Sequence, residues 1–271
     1  MPDGHYTRDH LVKALRSVGL GPGDTVFSHS NIGFFGVPQG VTDSRGACEL
    51  ILDAFTEVLG TDGTLIVPTF TYSFPDGSHF DPDTTASTCG AFTEFVRCLP
   101  DARRSTDPNV SVSAIGARAD ELTVDVSTNA YGSDSFAGRF FDTGGSVCNL
   151  NLDAGSTLVH YVEREIGVPY RFDKTFSGIL RIDGVGHEIT STLWVRHLVD
   201  GTEAEFTAFD GLARDRGLFR THPVGRGQVG CMATTDIRDL ITDTLPIRPW
   251  FLTRAGLTGD TPVLEPTPPA S

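Results

Sequence analysis

Short apolar runs that alternate with segments of helical spacing constrain this fold more than any other feature. In TRDHLVKALRSVGL the apolar positions are Leu11, Val12, Leu15 and Val18, the spacing of one helix face, with Thr7 placed to cap its start and Gly19 to stop it. GDTVFSHS then reads as a short buried strand, SRGACELILDAFTEVLG as a second amphipathic helix closed by Gly60, and GTLIVPTF as a second buried strand. The alternation continues through CGAFTEFVRCL (helix), NVSVSAIG and GSVCNLNLD (strands) and STLVHYVEREIG (helix). Strands apolar on both faces need helices on both sides, so the pattern predicts an α/β fold. Its form is a three-layer α/β/α sandwich around a mostly parallel central sheet. FSGILRIDG and HEITSTLWVRHL alternate about an Asp183-Gly184 turn, which predicts an antiparallel hairpin at one edge of that sheet. EAEFTAFDGLARDRG and TTDIRDLITDTL are expected helices. No repeat or low-complexity linker divides the chain, so residues 1–260 are expected to form a single domain, followed by a flexible Pro-rich tail at 261–271. The polar stretch from Tyr72 to Thr88 is too long for an ordinary connection and is read as a functional loop over a site, the alternative being disorder.

Charge and cysteine usage narrow the function classes. A net charge of -14 over 271 residues disfavours nucleic acid and anionic membrane as partners, since both require a basic face. It does not exclude a small polyanion held by a local basic pocket or by helix N-termini. Five scattered cysteines with no C-x-x-C pair indicate neither a disulfide framework nor a thiolate metal site, and no metal is expected. MPDGHYTRDH has no apolar signal region and no apolar run reaches membrane-spanning length, so a cytoplasmic protein is expected.

Few short motifs survive inspection. RSVGLG matches an R-x-x-G-x-G pyrophosphate-gripping pattern, but it ends a helix and precedes a strand, the reverse of what phosphate binding by a glycine loop requires. There is no P-loop, no dinucleotide fingerprint and no G-x-S-x-G elbow. His29 and Ser30 stand at the end of the first strand, where open α/β sheets place ligand loops; the alternative is that the serines satisfy turn backbone. Arg103 and Arg104, before the turn STDPN, are either a phosphate clamp or a solvated surface pair. In DAGSTLVHYVE a turn cluster runs into a helix bearing His160, placed about two turns in, which is either a core histidine or a base. His79, His187, His197 and His222 lack an i, i+4 partner for a metal site.

Five stretches taken together resemble the aminoglycoside N3-acetyltransferase family, which is unrelated to the common acetyltransferase superfamily. They are GDTVFSHSNIGFFG; GTLIVPTFTYSF with FDPDTT; RRSTDPNVSVSAIGARADEL; YGSDSFAGRFFDTGGSVCNLNLDAGSTLVHYVE; and VPYRF, in order from about Gly23 to Phe172. The resemblance implies acetyl-CoA, or another acyl-CoA, as co-substrate and direct transfer of the acyl group to an amine. It implies His160 as the general base, a role suited to an imidazole titrating near neutrality. A carboxylate is needed to orient it. The family's acid falls near Asp76, with Asp81 as the alternative; Asp76, Asp81 and Glu163 all stay open, the last read as a surface charge. By the same resemblance His29, Ser30, Asn31, Arg104 and Ser111 line the coenzyme site, and backbone donors or a serine of SHS hold the oxyanion.

Two departures shape the expected substrate. The family's His-Pro is Asp107-Pro108 here, and the glutamate of antibiotic-modifying members falls near Leu193 and Trp194. Arg196 and His197 nearby would suit an acceptor bearing an anion, with Asp81 a further candidate contact. The expected activity is therefore N-acylation of a small metabolite, an amino sugar or natural-product intermediate. The alternatives are a carrier-protein acyl donor, a true aminoglycoside 3-N-acetyltransferase conferring resistance, and an inactive binding homologue. An acyl carrier protein and a homodimer stand as candidate partners.

Overall fold

The computed structural model describes residues 5–264. In chain order the elements are α1 (Arg8–Ser17), β1 (Thr25–Phe27), a 3-10 turn (Ile32–Phe35), α2 (Ser44–Leu59), β2 (Thr64–Pro68), α3 (Ala91–Arg97), β3 (Arg103–Arg104), β4 (Val112–Gly116), α4 (Ala119–Thr123), α5 (Phe136–Asp142), β5 (Ser146–Leu150), α6 (Val159–Ile166), β6 (Arg171–Ile182), β7 (Val185–Arg196), α7 (Thr207–Asp215), β8 (Arg220–Val224), β9 (Gly227–Ala233), α8 (Thr234–Thr244) and α9 (Arg254–Thr258). Residues 265–271, most of the expected tail, lie outside the described residues. No helix among the described residues is long and apolar enough to cross a membrane.

Seven strands form the central sheet in the order β3-β4-β2-β1-β5-β9-β8. The central three, β2, β1 and β5, pair in parallel, and β4 and β9 run against them. Alternate strand residues supply opposite faces. Val26, Leu65, Val67, Cys148 and Leu150 pack with α1, α2 and α3 on one side, while Phe27, Ile66, Val147 and Met232 pack with α4, α5, α6 and α8 on the other. This is the three-layer sandwich, and it follows from strands buried on both faces.

Local signals place the helices. The Thr7 hydroxyl accepts from the His10 N–H at 3.3 Å, and His10 Nδ1 accepts from the Thr7 N–H at 3.2 Å, closing a reciprocal cap on α1. Gly60 ends α2. The hairpin forms as β6 and β7, twelve residues each, turning at Asp183 (φ 50°) and Gly184 (φ 76°), the two positive φ values of a tight hairpin turn. It stands as a two-stranded sheet of its own; the antiparallel edge of the main sheet is a different hairpin, β8–β9.

The long polar stretch 72–88 is tied down along its length. Phe80 exchanges backbone hydrogen bonds with Ile179 and Arg181 of β6. Beneath it, Gly178 leaves room for the Phe74 ring, which a Cβ would meet at 2.5 Å. Arg104 lies over the Phe80 ring and donates to the carbonyls of Pro82, Thr85 and Thr69 and to the Ser111 hydroxyl. The loop is thus a fixed cover, not a disordered connection.

Candidate active site

The loops after β1 and β5 leave the sheet at the same end, because those strands are parallel, and this is where open α/β sheets place their ligands. Asn149, at 0 % exposure near the end of β5, donates from its amide to the carbonyls of Asp153 and Gly155 and so shapes the turn that feeds α6. Ser156 in that turn meets His29 from the β1 loop, Nε2 to Oγ 3.0 Å. The helix begins only at Val159, so His160 lies in its first turn rather than two turns in.

His160 and Glu163 sit three residues apart on one helix face. Nδ1 of His160 lies 2.6 Å from Glu163 Oε2, and the Glu163 side chain is 1 % exposed. The same carboxylate accepts from the Tyr170 hydroxyl at 2.8 Å and faces Arg171 Nε at 2.9 Å in an ion pair. Burial works to raise the Glu163 carboxyl, but His160, Arg171 and Tyr170 outweigh it and hold it below the usual carboxylate range. Glu163 is therefore ionised and can only accept, which makes Nδ1 the protonated nitrogen and leaves the lone pair on Nε2. Burial, aided by Arg171, lowers the His160 pKa, so the ring is neutral near pH 7. Arg171 Nη2 lies 3.4 Å from Nε2, too long to occupy that lone pair firmly. Tyr131 fixes the ring edge-on at 5.7 Å. A neutral imidazole with one nitrogen oriented by a buried carboxylate is equipped to take a proton.

The expectation that Glu163 is a surface charge is overturned: the chain after α6 brings Tyr170 and Arg171 back against the helix and buries it. Asp76 lies exposed in the Tyr72–Gly77 turn and Asp81 accepts from the N–H groups of Asp83 and Thr84; neither is hydrogen-bonded to His160. Among the coenzyme candidates, Ser30 pairs with Leu150 and the Asn31 N–H donates to the Leu150 carbonyl, so both belong to the same strand-end surface as His29. Burial lowers the His29 pKa to about 4. Arg104 and Ser111 are instead committed to the loop cover and to the Thr69 carbonyl. Arg196 donates to the Thr202 hydroxyl and faces Glu203 at 3.5 Å, while buried His197 packs on Phe172. A small, mostly apolar cavity of about 10 Å³ lies beneath the start of α6, lined by Phe27, Phe70, Tyr131, Thr157 and Leu158, with Asp107 as its charged group. Burial pushes the Asp107 carboxyl up to about 6, although Oδ1 accepts from the Asn109 and Val110 N–H groups. Among the described residues no cluster of ligating side chains is arranged to hold a metal ion.

The comparison with known families decides the assignment. The family model described as aminoglycoside 3-N-acetyltransferase matches residues 34–246, most of the chain. The chain belongs to the aminoglycoside 3-N-acetyltransferase family. With it comes an enzyme class, the acyl-CoA-dependent N-acyltransferases. Aminoglycoside N(3)-acetyltransferase VII of Streptomyces paromomycinus is 28 % identical over 272 residues, spanning 88 % of this chain and 90 % of that one. The crystal structure of aminoglycoside acetyltransferase AAC(3)-Xa superposes with a TM-score of 0.77 at 25 % identity, covering 90 % of this chain and 93 % of that one. A coenzyme A complex of AAC-IIIb shares the fold at a TM-score of 0.77 and 21 % identity, covering 89 % and 97 %. In β7, Leu193 is 8 % exposed, and the buried indole N–H of Trp194 has no partner among the described residues.

Proposed function

We propose that this protein transfers an acetyl group from acetyl-CoA to the primary amine of a small metabolite, an amino sugar or natural-product intermediate, with His160 as the base. The carrying observation is the 2.6 Å contact between His160 Nδ1 and the buried Glu163, which frees Nε2 to accept a proton. The amine nitrogen attacks the thioester carbonyl as Nε2 takes one of its protons. The C–N bond forms, the tetrahedral centre collapses with cleavage of the C–S bond, and the coenzyme thiolate takes up the proton that imidazolium returns. Glu163 holds the ring and stabilises the imidazolium, and Arg171 and Tyr170 hold Glu163. Coenzyme binding falls to the strand-end loops bearing His29, Ser30 and Asn31.

Leu193 and Trp194 favour a metabolite acceptor over a polycationic antibiotic, since neither supplies the negative charge that a multiply protonated aminoglycoside seeks. Arg196 is paired with Glu203, so the acceptor need not carry an anion. The test is a thermal midpoint with acetyl-CoA, using adenosine as a control, followed by an amine screen read by thiol release. Acetyl-CoA at ~100 times its dissociation constant stabilises a fold by roughly 2.7 kcal/mol, a rise of several degrees. No rise, or a rise with thiol release only from a carrier-bound donor, would overturn the acetyl-CoA reading.

A further inference from the structure

Arg171 is buried beside the base, yet its guanidinium is left short of partners. The side chain is 8 % exposed. Nε lies 2.9 Å from Glu163 Oε2, but its N–H is not directed at that oxygen and has no hydrogen-bond partner among the described residues. Nη1 reaches the Trp194 carbonyl at 3.4 Å and Nη2 reaches His160 Nε2 at 3.4 Å. Both contacts are longer than the roughly 2.9 Å typical of an N–H donor on its acceptor. Other arginines of this chain are better served. Arg164 donates to both oxygens of Asp173, at 3.0 and 2.7 Å, and Arg104 spends its donors on loop carbonyls and Ser111. A buried cation with unspent donors costs stability, and such groups are kept where a reacting atom will use them.

The chain holds this guanidinium in place from both sides. Tyr170, fully buried, donates its hydroxyl to Glu163 Oε1, and Arg171 follows it as the first residue of β6. Across the hairpin Arg171 pairs in register with Arg196 of β7, which sets the Trp194 carbonyl against Nη1. The result is a donor, Nη2, and a proton acceptor, His160 Nε2, held side by side.

The geometry points to Arg171 as a catalytic residue, its Nη2–H donating to the thioester oxygen as that oxygen becomes an anion. This rests on the acyl-transfer reading with His160 as base and extends it. In the tetrahedral centre the amine nitrogen and the oxyanion are bonded to one carbon, so they lie closer together than two hydrogen-bonded atoms. With Nε2 and Nη2 each about 2.9 Å from its own partner, a 3.4 Å separation between them spans such a pair. The carbonyl electron pair moves onto oxygen as the C–N bond forms, and returns as the C–S bond breaks and the thiolate takes the imidazolium proton. Charge balances throughout: guanidinium faces Glu163 before attack, and imidazolium and oxyanion appear as a second pair between them.

The test compares thiol release from acetyl-CoA and from its dithioester analogue, in which sulfur replaces the carbonyl oxygen and accepts hydrogen bonds weakly. Each rate is divided by the uncatalysed rate of the same donor with the same amine, for wild type, Arg171→Met and Arg171→Lys. Acetyl-CoA affinity, read by calorimetry, reports that each variant is folded. Arg171→Met should lose about 10²–10³-fold in acetyl-CoA turnover with that affinity unchanged, the range for one oxyanion donor. Arg171→Lys keeps the charge opposite Glu163 and should recover part of the loss. Wild type should lose most of its acceleration with the dithioester, and both variants much less. A misplaced His160 would instead slow both donors equally, so equal oxygen-to-sulfur factors in wild type and variants would overturn the assignment. A loss confined to the KM of the amine would overturn it too, making Arg171 an acceptor-binding group. No thiol release from acetyl-CoA by wild type with any amine would overturn the acyl-transfer reading on which the assignment stands.

Discussion

At the scale of the residue, the site depends on one carboxylate being buried in the right place. His160 was legible in the sequence as a histidine on a helix, though read two turns in rather than in the first turn, and the family resemblance singled it out. Glu163 was visible at the helical i, i+3 spacing, yet nothing local distinguishes a buried glutamate from a surface one. What buries it is Tyr170 and Arg171, which reach the helix only through the fold. The arrangement has a kinetic signature. Glu163 raises the His160 pKa against burial and Arg171, so Glu163→Gln should lower it further. The acidic limb of kcat/KM should then move to lower pH while turnover falls by about 10- to 100-fold, and Glu163→Asp should restore part of both. Glu163→Ala, which leaves Arg171 facing no charge, should destabilise the fold by about 3–5 kcal/mol in urea unfolding. An unshifted acidic limb in Glu163→Gln would show that this carboxylate does not act through His160.

At the scale of the element, the legible parts were those with strong local punctuation. Thr7, Gly60 and Asp183-Gly184 mark ends and turns by chemistry that needs no tertiary partner, and the structure places α1, α2 and β6–β7 around them. The β8–β9 hairpin has no such punctuation, since RTHPVGRGQVG carries Pro223 and three glycines that weaken any strand pattern; the proline is tolerated because β8 is an edge strand. Arg104 shows what neighbours add to the reading of a side chain. Its sequence context suits an anion clamp, whereas its guanidinium spends its donors on three loop carbonyls and Ser111. Arg104→Ala should therefore cost about 2 kcal/mol or more of stability, seen as a lower urea midpoint, and leave the acetyl-CoA dissociation constant of the folded protein unchanged. Loss of coenzyme affinity without loss of stability would reverse that assignment.

At the scale of the whole molecule, two groups beside the site, half-buried His29 and buried Asp107, titrate in opposition. His29 has its pKa lowered to about 4 by burial, against an ordinary value of 6.5. As pH falls from 6.5 toward 4 the unfolded chain gains this proton before the folded one, and stability drops by on the order of 3 kcal/mol. Asp107 is raised by burial from 3.8 to about 6. Its contribution is present below 3.8 and lost as pH rises through 6, so on acidification it restores a similar amount. The two slopes offset each other in the native protein. Asp107→Asn should make stability fall more steeply than wild type between pH 6.5 and 4.5, and His29→Asn less steeply, measured as urea midpoints at both pH values. Parallel slopes in all three proteins would contradict the assigned burial of these groups.

The central claim is that His160 moves the proton in a direct acyl transfer. Its most direct test is the rate of thiol release from saturating acetyl-CoA, with the best amine found by screening, in wild type and His160→Ala, alongside the acetyl-CoA dissociation constant of each. The expected result is a fall of roughly 10²–10⁴-fold in turnover with coenzyme affinity retained, the range for loss of a positioned base. Equal turnover in the two proteins would remove His160 from the chemistry.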